Sequence, residues 1–253
     1  MTTVRHPLRC GSRRQRAAGK ILWAGLVCIA NLGFAAGQDG PAHWLHAGAM
    51  PPGAIGRQRL LRGGPLSGYC QPVEIRAPRG ARIAPAAGPG FGAPQPDALL
   101  AGLHVGFVYR FQVTQIPEHP GVEVFPTVEL IDRLYPPPGE ALKFPVPVDL
   151  TLEELLMAAE GRFVTRVIYV EDPSLALPIA QGSLNEQPWM EVGPGEDPLV
   201  AADSLGRPIA ILRMGARTPD MHQADGSFNY GAEPAIVYER ARPERPATTP
   251  LAR

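Results

Sequence analysis

Only one pair of histidines stands at a spacing that suits a metal ion. His43 and His46 are three residues apart, so their imidazoles could share a metal on one helical turn. No third ligand lies close to them in the sequence. An amphipathic turn just after the cleavage site of an N-terminal signal peptide explains the pair more simply. The chain also lacks the local motifs of serine hydrolases, zinc peptidases and phosphate-binding loops. We therefore predict no enzyme activity, no catalytic residue, no metal site and no cofactor.

Glu118 and His119 are the first candidates for a binding site. They place a carboxylate beside an imidazole in a turn bounded by Pro117 and Pro120, and turns commonly present polar side chains to ligands. A solvated turn without a function is the simpler interpretation. Asp132 and Arg133 end the following strand, roughly 30 Å away at a rise of about 3.3 Å per residue, so we do not expect either to join them.

Arg166 is the second candidate because it interrupts an almost continuously apolar stretch, residues 163–170. A buried arginine needs a carboxylate partner, and we expect Glu123 or Glu129 to provide it across the sheet. Such a pair favours a structural role for Arg166, with anion recognition as the alternative.

The N-terminal segment predicts export. Residues 1–37 combine six basic and no acidic side chains with an apolar run over residues 21–36 and small residues after it, which is typical of a secretory signal peptide. If the segment is not cleaved, it is an anchor and the only part of the chain in contact with the membrane. Removing its six basic residues from the 24 in the chain leaves 18 against 24 acidic ones, or about −6. This acidic remainder argues against nucleic acid as a partner.

The cysteines agree with this division of the chain. Cys10 and Cys28 lie in the N-terminal segment, so its removal leaves Cys70 without an internal disulfide partner. We interpret Cys70 as a small hydrophobic residue on a strand.

Composition divides the remainder into three parts. Residues 38–68 contain Gly and Pro without a sustained period and are predicted to be a flexible linker. Residues 69–216 hold the strand and helix patterns. Residues 217–253 are polar and proline-bearing, which is typical of a disordered tail.

Alternating apolar side chains predict strands over most of residues 69–216. Residues 69–75 and 103–114 each alternate with a period of two, and residues 122–133 follow the second of these after a short turn. The last two runs therefore predict an antiparallel hairpin. Pro126 lacks an N–H, so we expect that strand to lie at an edge of the sheet or to contain a bulge.

The second half of this region predicts three further strands and two helices. Pro145 and Pro147 alternate with apolar residues, which favours an edge strand. Thr151 and Glu154 form a capping box at the start of a short helix that ends at Gly161. Residues 163–170 read as a central strand buried on both faces. A second helix is predicted from Asp197–Pro198 to Leu205, before a last strand over residues 209–214.

Three runs of the sequence resemble a group of uncharacterised exported proteins of planctomycete bacteria. They are GVEVFPTVELIDRLYPPPG, KFPVPVDLTLEELLMAAEGRFVTRVIYVEDP and GRPIAILRMGART. The resemblance covers about residues 69–219. It implies an envelope or extracytoplasmic location, and it implies no activity and no site residues.

These patterns predict a mainly β fold, an antiparallel β-sandwich with one short helix. The alternative is an α+β domain in which the helix beginning after Thr151 covers one face of a sheet. For function we predict an exported, non-enzymatic protein of the periplasm, cell envelope or extracellular space that binds an envelope protein or a polysaccharide. The alternatives are a carbohydrate-binding module, which needs exposed aromatic rings, and a small hydrolase-like enzyme. Trp189 with Tyr169 or Phe125 could line the sugar platform of such a module, although packing in the core is the simpler interpretation of these rings. The enzyme would need at least two of His104, Glu118, His119 and Asp132 to converge.

Overall fold

The computed structural model describes residues 50–65, 67–175, 191–193, 195–220 and 227–239. The predicted signal peptide, with Cys10 and Cys28, and the pair His43 and His46 lie outside the described residues. None of the helices in the described ranges combines the length and the apolar character that crossing a membrane requires.

Short strands are the main regular element of the described chain. They are β1 (Cys70–Arg76), β2 (Arg82–Ala87), β3 (Gly90–Phe91), β4 (Gln95–Pro96), β5 (Ala98–His104), β6 (Val108–Thr114), β7 (Thr127–Leu130), β8 (Val146–Asp149), β9 (Val164–Glu171), β10 (Gly206–Met214) and β11 (Ile236–Tyr238). Three helices accompany them: α1 (Ala54–Leu61), α2 (Leu152–Ala159) and α3 (Pro198–Leu205).

The strands form two sheets. A four-stranded sheet has the order β11-β5-β1-β8, and a seven-stranded sheet has the order β3-β2-β6-β7-β10-β9 with β4 also paired to β2. The pairing is antiparallel except between β1 and β8, which are parallel. The prediction of a mainly β fold is confirmed.

Side chains from both sheets share one hydrophobic core. Helix α2 contributes Leu155 and Ala158 to it. Its large members include, from the four-stranded sheet, Val73, Ile75 and Leu99 and, from the seven-stranded sheet, Tyr109, Phe111 and Leu212.

The strand predicted over residues 103–114 is in fact the end of β5 followed by β6. The chain turns between them at Gly106, which has a φ of +92° and donates its N–H to the carbonyl of Leu130 over 2.7 Å. Val105 is buried whereas Phe107 is 51% exposed, so the two do not share a face as the alternation suggested. The alternation in the sequence runs through residue 106 without a break, although the chain turns there. The turn needs glycine because of its positive φ.

The predicted hairpin between residues 103–114 and 122–133 is confirmed for β6 and β7, which pair antiparallel. The expectation for Pro126 is wrong, because β7 lies between β6 and β10 rather than at an edge. Val108 pairs with Glu129 and Val113 bridges Val124 in one continuous register, so no bulge is needed. The carbonyl of Pro126 accepts a hydrogen bond from the N–H of Phe111 over 3.0 Å, so the proline is still paired with β6.

Two predictions from proline and capping chemistry are confirmed. Strand β8, with Pro147 at its centre, is an edge strand of the four-stranded sheet. At the start of α2, the Thr151 hydroxyl accepts from the N–H of Glu154 over 3.2 Å, and the Glu154 carboxylate accepts from the N–H of Thr151 over 3.2 Å. Helix α3 likewise starts where predicted, since Asp197 caps the N–H of Leu199.

The prediction of a central strand over residues 163–170 is wrong. Strand β9 is the last strand of the seven-stranded sheet, and β10 is the central strand between β7 and β9. Strand β9 is apolar because it packs against helices α2 and α3, and not because a second strand lies beside it. Only Ile168 of this strand is fully buried.

Parts of the predicted linker and tail are folded. Helix α1 lies within the predicted linker, residues 38–68, and buries Ile55. In the predicted tail, residues 217–253, strand β11 pairs with β5. Both stretches are short in apolar residues, so they gave no periodic signal. Residues 240–253 lie outside the described chain.

The segment 227–239 holds the two sheets together. Asn229 is buried and donates to the carbonyls of Gly88, over 3.3 Å, and Gly90, over 2.9 Å, beside β3. The Arg110 guanidinium of β6 lies 4.0 Å from the ring centroid of Phe228. A few residues later the same segment becomes β11 of the four-stranded sheet.

Candidate functional site

Glu118 and His119 lie where the sequence placed them, in the turn after β6. The turn borders an open depression of about 490 Å³ lined by residues between Thr114 and Glu123. Glu118 adopts a left-handed φ of +63°, and His119 Nδ1 lies 2.9 Å from the carbonyl oxygen of Pro117. The imidazole thus contacts the backbone of its own turn.

The four residues named for an enzyme are not joined to one another. Within the described ranges, no hydrogen bond or ion pair connects any two of His104, Glu118, His119 and Asp132. Nor does the described part of the chain contain a group of three or more His, Cys, Asp or Glu side chains placed to hold a metal ion.

Arg166 has a carboxylate partner, although a different one from those expected. Its guanidinium lies 3.4 Å from a carboxylate oxygen of Glu154 in α2 and donates to the carbonyl of Asp149 at the end of β8. Glu129 instead pairs with Arg213, and Glu123 accepts from Gln112. Arg166 therefore links the outer strand of one sheet to the outer strand of the other through α2, which is a structural role.

A fully buried ion pair fixes α1 against the seven-stranded sheet. The Arg213 guanidinium lies 2.7 Å from the Glu129 carboxylate, and both side chains are at most 3% exposed. The other Glu129 oxygen accepts from the N–H of Gly56, over 2.8 Å, in α1. A buried carboxylate needs such partners, so the position of α1 is tied to the interior of the sheet.

Asp132 extends this connection to the surface. Its carboxylate lies 3.0 Å from both the Arg59 guanidinium of α1 and the Arg207 guanidinium of β10. It also accepts from the N–H of Arg133 over 2.7 Å. Asp132 thereby orients the backbone that follows β7 and the first residues of β10.

Four side chains at this end of the molecule form what we call the arginine–tyrosine cluster: Tyr69, Arg133, Tyr135 and Arg207. The guanidinium carbon of Arg133 lies over the Tyr69 ring, 4.6 Å from its centroid, and over the Tyr135 ring, 4.4 Å from its centroid. The Arg207 guanidinium lies 5.1 Å from the Tyr135 centroid and donates to the carbonyl of Arg133 over 2.8 Å. Tyr135 remains 64% exposed.

Arg133 is the unusual member of the arginine–tyrosine cluster. No described residue accepts a hydrogen bond from its guanidinium or pairs with it as a carboxylate, and its Nε is buried without a partner. The two rings hold the planar cation by cation–π contact. The result is an oriented guanidinium with unused hydrogen-bond donors.

The fold brings this cluster together from three separate segments. Tyr69 directly precedes β1, Arg133 and Tyr135 follow β7, and Arg207 lies in β10. The segment after β7 is fixed to β1 by the N–H of Leu134, which donates to the Gln71 side chain over 2.8 Å. The sequence analysis missed the cluster, and the only local signal was an arginine two residues before a tyrosine.

Beside the cluster, a buried tyrosine stabilises the turn between β5 and β6. The Tyr109 hydroxyl accepts from the N–H of His104 over 2.8 Å, and burial raises the pKa of Tyr109 to about 12. Burial also raises the pKa of the Cys70 thiol. Cys70 lies on β1 as expected, as a half-buried free thiol.

Phe125 is not part of an exposed sugar platform. It is buried and packs against Phe91 at 5.5 Å and Phe228 at 5.4 Å between ring centroids. Trp189, which could have joined it, lies outside the described residues. Among the exposed rings of the described residues, which include Phe107, Phe144 and Phe163, Tyr135 is the one that lies in the arginine–tyrosine cluster.

Comparisons with protein-family models, with curated proteins and with solved structures found no match. The chemistry of the cluster is therefore the starting point for a functional assignment.

Proposed function

We propose that the chain is an exported, non-enzymatic binding module of the cell envelope that binds its partner through the arginine–tyrosine cluster. The observation behind this proposal is the Arg133 guanidinium, which lies over two tyrosine rings and has no carboxylate partner among the described residues. A cation that is already oriented loses little conformational freedom when it binds an anion. It is thus a ready receptor for an anionic group.

The charges of the neighbouring residues also favour the binding of an anionic group. Arg59 and Arg207 share the single carboxylate of Asp132, and the Arg133 guanidinium has no carboxylate partner among the described residues, so positive charge is in excess here. Arg207 is 37% exposed and within reach of a ligand that touches Tyr135. This local positive charge contrasts with the acidic composition of the chain after residue 37, and it favours a negatively charged partner.

Support for export comes from the N-terminal sequence. The basic stretch, the apolar run and the small residues within 1–37 follow the order of a secretory signal. The resemblance to exported planctomycete proteins agrees with it. The partner is then an envelope component, either a protein or a polysaccharide.

A carbohydrate-binding module is the second candidate, and the exposed ring of Tyr135 favours it. Aromatic rings offer a flat apolar surface with a polar edge. Two guanidinium groups lie over the Tyr135 ring, and at 64% exposure of the residue part of its surface is available to a sugar.

Binding to envelope material tests the proposal. Immobilised full-length protein is incubated with solubilised envelope fractions, and bound protein and bound carbohydrate are measured separately. We expect retention that is lost in Arg133→Gln and Tyr135→Ala. Two changes outside the arginine–tyrosine cluster serve as controls: Phe163→Ala, at a ring as exposed as Tyr135, and Arg162→Gln, at an exposed surface arginine.

Equal retention by the cluster variants and the controls would contradict the proposed site. A signal for the full-length chain in the cytosolic fraction alone would contradict export. Circular dichroism of each variant shows whether it is folded, so that a lost interaction is not confused with a lost structure.

A further inference from the structure

We infer that the ligand of the arginine–tyrosine cluster is a polysaccharide whose sugar rings bear carboxylate groups. This inference rests on the proposed function and names its ligand class. It follows from two features that lie in contact, a guanidinium without a carboxylate partner among the described residues and an exposed aromatic ring.

The guanidinium selects the charged group. Arginine presents its N–H donors in a planar fork that matches the two oxygens of a carboxylate, which gives a bidentate pair. The contacts of Arg133 with the Tyr69 and Tyr135 rings hold the position of that fork. Arg207, held by Asp132 and by the carbonyl of Arg133, adds a second cation beside the same ring.

The tyrosine selects the sugar. The Tyr135 centroid lies only 4.4 Å from the Arg133 guanidinium carbon, so a ligand that touches both must hold an apolar face and an anion close together. In a hexuronate the carboxyl carbon is bonded directly to the ring, and the two are fixed at that short separation. Acidic side chains of a polypeptide hang from flexible stems and offer no such rigid face.

Four soluble polymers separate these contributions. Polygalacturonate has a sugar ring and a carboxylate, dextran has the ring without a charge, poly-L-glutamate has the carboxylate without the ring, and dextran sulfate has the ring with a different anion. Binding of each to the full-length protein is measured by isothermal titration calorimetry at about 0.15 M salt, where exposed charges are screened beyond roughly 8 Å.

We expect polygalacturonate to bind at least about tenfold more tightly than the other three polymers, a difference of about 1.4 kcal/mol. Arg133→Lys keeps the charge but loses the planar fork and the stacking. It should weaken polygalacturonate binding about fivefold or more, whereas the control Arg162→Lys should leave it unchanged. Tyr135→Ala should weaken polygalacturonate more than it weakens poly-L-glutamate.

Each other result overturns the inference. Equal binding of dextran would indicate a neutral glycan, equal binding of poly-L-glutamate an acidic polypeptide, and equal binding of dextran sulfate a site that selects charge alone. If no polymer binds while envelope material is still retained through Arg133, the carboxylated glycan is wrong and the proposed binding module stands. If envelope material is not retained either, both fail.

Discussion

At the scale of single residues, the Glu129–Arg213 pair decides how α1 is held. Both charges are buried, and Glu129 also receives the N–H of Gly56. Burying an ion costs several kcal/mol unless its partner is present. Removing one charge of the pair should therefore lower the free energy of unfolding more than replacing both charges with apolar residues does.

Glu129→Leu leaves the Arg213 guanidinium buried without its partner carboxylate. We expect it to lower the free energy of unfolding by about 3–5 kcal/mol. The double variant Glu129→Leu, Arg213→Met removes both charges and should lose less than the single variant, as measured by urea denaturation. If the double variant loses the sum of the two single losses, the pair does not act as a coupled unit.

Tyr109 predicts a loss of stability in alkaline solution. Burial raises its pKa from 10.0 to about 12 in the folded protein, so between these values the unfolded chain has lost the proton and the folded chain has kept it. The stabilisation is complete below pH 10 and decreases as the pH rises towards 12. Burial also raises the pKa of Tyr169 and Tyr238, which adds to the same trend.

The pH slope of stability is the fall in the free energy of unfolding between about pH 9 and about pH 11.5, and urea denaturation at the two pH values measures it. Tyr109→Phe removes the titrating group, so its stability should fall less between the two pH values than that of the wild type. Phe163→Leu is the control, because it changes an exposed aromatic side chain that has no titrating group and should leave the slope unchanged. A slope in Tyr109→Phe as steep as in the wild type would contradict the prediction.

At the scale of elements, helix α2 depends on its cap. The capping box between Thr151 and Glu154 satisfies N–H groups at the helix start. Thr151→Ala should lower the free energy of unfolding by about 1 kcal/mol, measured by thermal or urea denaturation. Thr218→Ala, at an exposed threonine outside any helix or strand, should change it by less than about 0.5 kcal/mol. Equal effects of the two changes would show that the cap contributes nothing.

Elements that depend on local chemistry could be predicted from the sequence. The cap of α2 needs only the types of residues 151 and 154, and the edge position of β8 follows from the missing N–H of its proline. By contrast, the place of β9 depends on which strands reach it from elsewhere in the chain. Apolar composition alone does not distinguish a central strand from an outer strand covered by helices.

The candidate site illustrates the same limit. Glu118 and His119 are neighbours in sequence, so their common turn was foreseeable. The arginine–tyrosine cluster joins residues 69, 133, 135 and 207, and Arg207 reaches it only because β10 pairs with β7. That pairing has no signature in one sequence, so the cluster could not be predicted.

At the scale of the whole molecule, the segment 227–239 connects the sheets through Asn229 and β11. Asn229→Ala removes two hydrogen bonds from a buried position and leaves the carbonyls of Gly88 and Gly90 without them. We expect a loss of about 1–3 kcal/mol in the free energy of unfolding. Hydrogen exchange should show faster exchange in both β3 and β11, and faster exchange confined to β3 would contradict a connecting role.

The order of β11 in the chain has a consequence for biosynthesis. This strand covers the outer side of β5, yet it is made after every other described strand. A nascent chain therefore cannot complete the sandwich until the ribosome has passed Tyr238.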